Sequence, residues 1–357
     1  MRGSLLLAAL LLPAAARAQD MGADVHFGAR HGASFAVTAA PTSPGGSARV
    51  LFDSGDSDAI RGDWDTMLIH GVLPDPNVRF MALRPGGAQV WVELQVKRFP
   101  DGRFWAKGTF LRGAGAVRLR AVDAGVAVDH EVEVYGAEVY DASAAEAPAP
   151  AAPARGPVDP GAVPPLTHAR SEWSAKPPKE PWTPDPMPWR ITLHHSDGRY
   201  TQSLAESLAE AGFIQDFHQN GRGWNDIAYH YLVDPLGNVI EGRPLGMLGA
   251  HTLNNNEGNV GIVLLGTYHA PKNDQPTAAQ LKAVADIGRF LVKRFGIDPA
   301  TLKGHRDYKS TDCPGDLAYP RLSELRKAFA GGSQVVLAPV FEGQPAISSA
   351  AAPKATR

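Results

Sequence analysis

His305 and Cys313 stand eight positions apart in "LKGHRDYKSTDCPG", and Cys313 is the only cysteine among 357 residues. Imidazole nitrogen and thiolate sulfur are both zinc donors. A catalytic zinc takes three protein ligands and keeps a fourth position open for water. Eight positions is too long for a helical pair, so both residues are expected on one loop, shaped by Pro314 and Gly315. No CxxC pair exists in the chain, which disfavours a closed structural zinc site. A lone cysteine otherwise suits a reactive thiol or an intermolecular link. A third donor is on offer in "ITLHHSD", where Ile191 and Leu193 flank Thr192 in an expected central strand. Successive side chains on a strand point to opposite faces. Only one of His194 and His195 can therefore serve this metal, and the pattern alone does not say which.

Two regions must position these groups. The region 169–330 reads as an α/β unit, a mixed central sheet flanked by helices. "RITLHH", "AYHYLVD", "NVIEG" and "NVGIVLLG" have strand character, and "DPLGN" at 234–238 turns one strand into the next. "QSLAESLAEAGFIQDFHQ" carries a helical apolar stripe. In "PTAAQLKAVADIGRFLVKRFG" Pro276 opens a helix, Leu281, Val284, Ile287 and Leu291 line one face, and Gly296 ends it. The region 24–140 reads as a small all-β domain, a sandwich or jelly-roll. Val90, Val92, Leu94 and Val96 alternate with polar residues, and Pro100-Asp101-Gly102 supplies a turn into a partner strand. Between the two regions, 141–168 is an Ala/Pro-rich linker, and 331–357 reads as a disordered tail.

Residues 1–18 have a short basic start, an apolar core and Ala16-Arg17-Ala18 as a small-x-small cleavage site. They are expected to be a signal peptide, with no cysteine behind it for a lipid anchor. A secreted or periplasmic protein follows. No later stretch reaches the ~20 apolar residues of a membrane span. A net charge of −2 gives no basic field for nucleic acid.

The order of fragments over 170–330 resembles a known family. "ARSEWSAKPP", "ITLHHSD", "FIQDFHQNGRGWNDIAYHYLVDPLGNVIEGRP", "GAH", "NVGIVLLGTY" and "LKGHRDYKSTDCPG" are similar, in sequence order, to the zinc N-acetylmuramoyl-L-alanine amidases of the peptidoglycan recognition protein and phage lysozyme type. The resemblance implies one catalytic Zn2+ held by His194, His305 and Cys313. It implies Tyr229 and Thr311 as catalytic residues, and His251 and Asn256 as substrate contacts. Arg306 and Asp307 would brace the "GHRD" loop from behind. Peptidoglycan would be the partner, cut between N-acetylmuramic acid and the first L-alanine of the stem peptide. The family's "DIGY" is "DIAY" here, which places Ala228 beside Tyr229. A module that binds peptidoglycan fragments without cutting them is the alternative. Such members tend to lack the metal-binding cysteine, which is present here. The β-domain would hold the enzyme on the wall or on another partner.

Overall fold

Short alternating runs punctuated by Gly, Pro and Asp build two larger antiparallel sheets and one two-stranded antiparallel ladder in the first region. The computed structural model describes residues 22–27, 30–31, 33–37, 49–73, 76–86, 90–123, 130–143 and 151–331. The expected signal peptide, residues 144–150 of the Ala/Pro-rich segment and 332–357 of the tail lie outside them. The strands are β1 (Ala23–Asp24), β2 (His26–Phe27), β3 (Arg30–His31), β4 (Ala33–Val37), β5 (Arg49–Asp56) and β6 (Trp64–Val72). Then come β7 (Val78–Leu83), β8 (Val92–Glu93), β9 (Gln95–Arg98), β10 (Arg103–Gly113), β11 (Arg118–Asp123) and β12 (His130–Tyr140). One sheet runs β1-β12-β6-β10-β9 with β4 also on β12, and the other runs β5-β11-β7-β8. Trp64, Met67, Ile69, Phe80, Phe104 and Leu119 are buried between them.

The run around Leu94 is not one continuous strand. β8 pairs with β7 in one sheet and β9 with β10 in the other. Leu94 lies at the crossing point, buried in the core, while Val90 is exposed. Changing sheets at such a corner lets one chain segment cover an end of the sandwich.

The second region carries β13 (Arg190–His195), β14 (Tyr231–Val233), β15 (Val239–Glu241), β16 (Asn259–Leu264) and β17 (Leu302–Gly304). Their order is β15-β14-β16-β13-β17, with β14 and β15 antiparallel and the other pairs parallel. The helices are α1 (Leu204–Asp216), α2 (Ala278–Phe295) and α3 (Leu322–Phe329). The Thr277 hydroxyl caps α2 by accepting from the Gln280 N–H, and Gly296 ends it in the left-handed conformation at φ +65°. Leu281, Val284, Ile287 and Leu291 face the core under the sheet. β13 lies between β16 and β17, one place from the centre of the sheet; every one of its residues is buried, and its C-terminal end carries both histidines. Among the described residues no helix is long and apolar enough to cross a membrane.

The two regions are packed against each other. Arg103 of β10 makes two bonds to Glu210 of α1, at 3.0 and 2.8 Å, with both side chains 1% exposed. Lys97 pairs with Asp216 at 2.5 Å, and the Trp105 indole N–H donates to the same carboxylate at 3.0 Å. The described part of the Ala/Pro-rich segment runs along the second region. There Gly156 N–H donates to Gly296 O and Asp159 N–H to Lys293 O.

Candidate metal centre

The site forms where parallel strands end. β13 delivers His194, and neighbouring β17 runs directly into a helical turn, His305–Asp307, that delivers His305. The loop beyond it delivers Cys313. The ligand atoms of these three buried residues all lie within 4.8 Å of one another. His194 Nδ1 and Cys313 Sγ are 3.6 Å apart. Two ligands on a tetrahedral zinc, with Zn–N about 2.0 Å and Zn–S about 2.3 Å, would be separated by about 3.5 Å. His305 Nε2 is buried with no hydrogen-bond partner among the described residues. A buried imidazole nitrogen left without a partner is costly, and a cation would satisfy it. The donor set and its spacing therefore fit one zinc ion.

Hydrogen bonds behind His194 aim its Nδ1 at the metal position. His251 Nε2 lies 3.1 Å from the carbonyl oxygen of Asn259, which can only accept, so this nitrogen carries the proton. His251 Nδ1 is then an acceptor, 3.0 Å from His194 Nε2. His194 donates there and keeps a bare lone pair on Nδ1, facing Cys313. Such a relay fixes both tautomer and ring orientation of a ligand. Burial, reinforced by His305 and His195, pushes the His194 pKa well below the ordinary imidazole value. Burial, and then Lys309, does the same for His305. Both rings are neutral at pH 7, the form that binds metal. Burial pushes the Cys313 thiol up, against a lowering contact from the His195 N–H at 3.4 Å. A bound cation reverses that balance, because a coordinating thiol loses its proton.

The loop is held in place by its own residues. Arg306 N–H donates to Cys313 O at 3.0 Å, and its guanidinium pairs with Asp316 at 2.9 Å. Asp307 accepts from Gly304 N–H at 2.9 Å and from the Tyr319 hydroxyl at 2.5 Å. Thr311 gives its hydroxyl proton to Asp24 of β1 at 2.6 Å and accepts the Cys313 N–H at 3.3 Å. It therefore ties the loop to the β-domain. Tyr229 packs its ring against His194 at 5.1 Å between centroids and lines the cleft. Burial, then the nearby thiol, holds its phenol well above the usual pKa.

His251 and Asn256 sit behind His194 and are absent from the cleft wall. His251 is fully buried, and the Asn256 side-chain oxygen accepts both the His251 and Thr252 N–H groups at 2.8 Å. The physical reason is the tight turn after "GAH", which folds its polar side chains onto its own backbone. In their place, the β-domain supplies Asp24, His70, Arg103, Gly136, Ala137 and Glu138 to the cleft. His218 arrives from the π-helical turn Phe217–Gly221 that widens the end of α1, and Arg222 from the position that caps it. His218 Nδ1 accepts the Ala228 N–H at 3.2 Å and so steadies the backbone next to Tyr229. Such turns often mark functional sites.

Residues 184–316 match the family described as N-acetylmuramoyl-L-alanine amidase. The peptidoglycan-recognition protein LB of Drosophila melanogaster is 34% identical over 157 residues, covering 43% of this chain and 66% of that protein. The N-acetylmuramoyl-L-alanine amidase of Sus scrofa is 34% identical over 167 residues, covering 44% of this chain and 27% of its own length. Among solved structures, wild-type Drosophila PGRP-LB is 34% identical, with a TM-score of 0.40, covering 44% of this chain and 92% of that one. Peptidoglycan recognition protein LE, solved in complex with tracheal cytotoxin, is 31% identical, with a TM-score of 0.42 over 44% and 92%. The chain thus spans less than two thirds of the first curated relatives, and its β-domain lies outside the matched residues. Through its second region, the chain belongs to the N-acetylmuramoyl-L-alanine amidase family.

Proposed function

We propose that the protein is an exported, zinc-dependent N-acetylmuramoyl-L-alanine amidase. It would hydrolyse the amide bond between N-acetylmuramic acid and L-alanine in peptidoglycan. The observation that carries this reading is the convergence of His194, His305 and Cys313, buried and neutral, with Tyr229 against them. Zinc held by these three residues would supply Lewis acidity to water and to the scissile carbonyl. The protein's own groups do the rest. His251 holds His194 in the ligand tautomer, and Arg306, Asp307 and Thr311 hold the Cys313 loop. Tyr229 keeps its proton at neutral pH, so it can donate a hydrogen bond to a carbonyl oxygen gaining charge. Donors of this kind contribute about 2.7–4 kcal/mol. Of the carboxylates around the cleft, Glu210 pairs with Arg103, Glu138 with Arg222, and Asp197 with His269 when that ring is protonated, while Asp24 accepts from the Thr311 hydroxyl.

The substrate class rests on the family. The β-domain forms one wall of the cleft in this reading, so it shapes substrate access as well as any wall attachment. The test is to incubate the protein with peptidoglycan, with and without a chelator, and look for stem peptides beginning with L-alanine. Release only without chelator is expected. No release by zinc-loaded protein would overturn the reading and leave recognition without cleavage.

A further inference from the structure

Beside the first cluster lies a second, formed by His195, Asp197 and His269, whose ligand atoms also fall within 4.8 Å of one another. We infer that this cluster is a second binding site for a borderline divalent cation such as zinc, held by two imidazoles and one carboxylate. Alternation along β13 sends His194 to one cluster and His195 to the other, and the His195 N–H to Cys313 Sγ contact joins them.

The hydrogen bonds around His269 call for a cation. Its Nδ1 lies 2.8 Å from the carbonyl oxygen of Ala270, which can only accept, so the proton of the neutral ring is on Nδ1. Nε2 then presents a lone pair to Asp197 Oδ1, 3.2 Å away. Lone pair against lone pair is repulsive unless a positive charge lies between them, either a second ring proton or a metal ion. Two ligands at about 2.0–2.2 Å on a tetrahedral zinc would be about 3.4 Å apart, close to the distance observed. His195 and His269 are buried, and the Asp197 side chain is only 16% exposed. A desolvated carboxylate beside two imidazoles gains most from a compact charge.

The β-domain leaves room for this carboxylate. A Cβ at Gly136 of β12 would come 2.9 Å from Asp197 Oδ2. Two histidines and one carboxylate form a recurrent donor set for first-row transition metals. His195 and Asp197 line the same cleft as Tyr229 and Cys313, so a cation here would face the substrate.

The rival is a metal-free ion pair between protonated His269 and Asp197, and metal stoichiometry separates the two. The full chain is stripped with a chelator and titrated with Co2+, following bound metal and the thiolate-to-cobalt absorption of the Cys313 site. Two equivalents are expected for the wild type. His269→Ala and Asp197→Asn should each bind one and keep the thiolate band. Cys313→Ser should keep one equivalent and lose the band. One equivalent in the wild type would overturn the inference, as would two in Asp197→Asn, the variant that best preserves shape. Because only metal is measured, failure here leaves the amidase reading standing.

Discussion

Replacing Glu210 with Leu should destabilise the protein by several kcal/mol, and the loss should be felt across both regions. Glu210 lies on α1 and Arg103 on β10, joined by two bonds at 3.0 and 2.8 Å with each side chain 1% exposed. The guanidinium also stacks on Phe213, 3.8 Å from the ring centre, and donates to Gly71 O at 3.0 Å. Removing the carboxylate leaves a full positive charge buried, with one neutral carbonyl and the ring faces of Phe213 and Tyr135 for company. Breaking one side of a buried pair costs about 3–5 kcal/mol, whereas exchanging both partners for apolar residues of similar volume is often neutral. Arg103→Met with Glu210→Leu should therefore recover most of the loss, giving a coupling of about 3 kcal/mol in the double-mutant cycle, at the upper end for contacting residues. Urea unfolding followed by tryptophan fluorescence reads this directly. With a slope of about 3 kcal/mol/M, the single variant's midpoint should fall by about 1 M or more. A midpoint within 0.2 M of the wild type, on this order-of-magnitude scale, would refute the reasoning. The β-domain would then not be seated on α1 through this pair in solution.

Cys313→Ser should leave the fold intact and abolish tight metal binding at the first site; a metal stoichiometry unchanged from the wild type would remove Cys313 from the ligand set. His251→Phe should weaken metal binding about 10–100-fold by freeing the His194 ring, and an unchanged affinity would dissolve the relay. Tyr229→Phe should keep its metal while turnover falls about 100-fold or more; intact turnover would make Tyr229 a packing residue. The chelated protein should lose stability as pH drops below the usual imidazole value. Burial pushes His230 down to about 4, with its Nε2–H already given to Met247 O. The unfolded chain takes up that proton first, so stability is complete above about pH 6.5 and declines towards pH 4. His230 alone accounts for about 3 kcal/mol across that window, and the other buried histidines act in the same direction. A urea midpoint that stays flat from about pH 7.5 to about pH 5, a range that reaches well into this window, would contradict this.

Much of the second region was legible because its signals are local. Thr277, the apolar stripe of α2 and Gly296 announce that helix within one window of sequence, and "DPLGN" announces its turn. The alternation of β13 already separated His194 from His195. What the sequence could not display is pairing across distance. β17 is three residues long and gains its strand character only by lying against β13. α3 is eight residues long and follows a turn carrying Pro320, so periodicity has too little length to register. The roles of Asp24, Glu138 and Arg103 depend on contacts more than eighty positions away. No reading of 24–140 by itself would have brought these residues to the cleft. The run around Leu94 had the right period, yet changing sheets at its middle is a tertiary event.

The bond from Thr311 to Asp24 joins residues 287 positions apart. Contacts of such separation form late in folding, since closing so long a loop costs entropy before any contact repays it. The loop bearing Cys313 is thus ordered by a strand from the far end of the chain, and its ligand geometry is complete only once both regions have come together. A metal ion entering there stabilises the finished assembly and does little for the early chain.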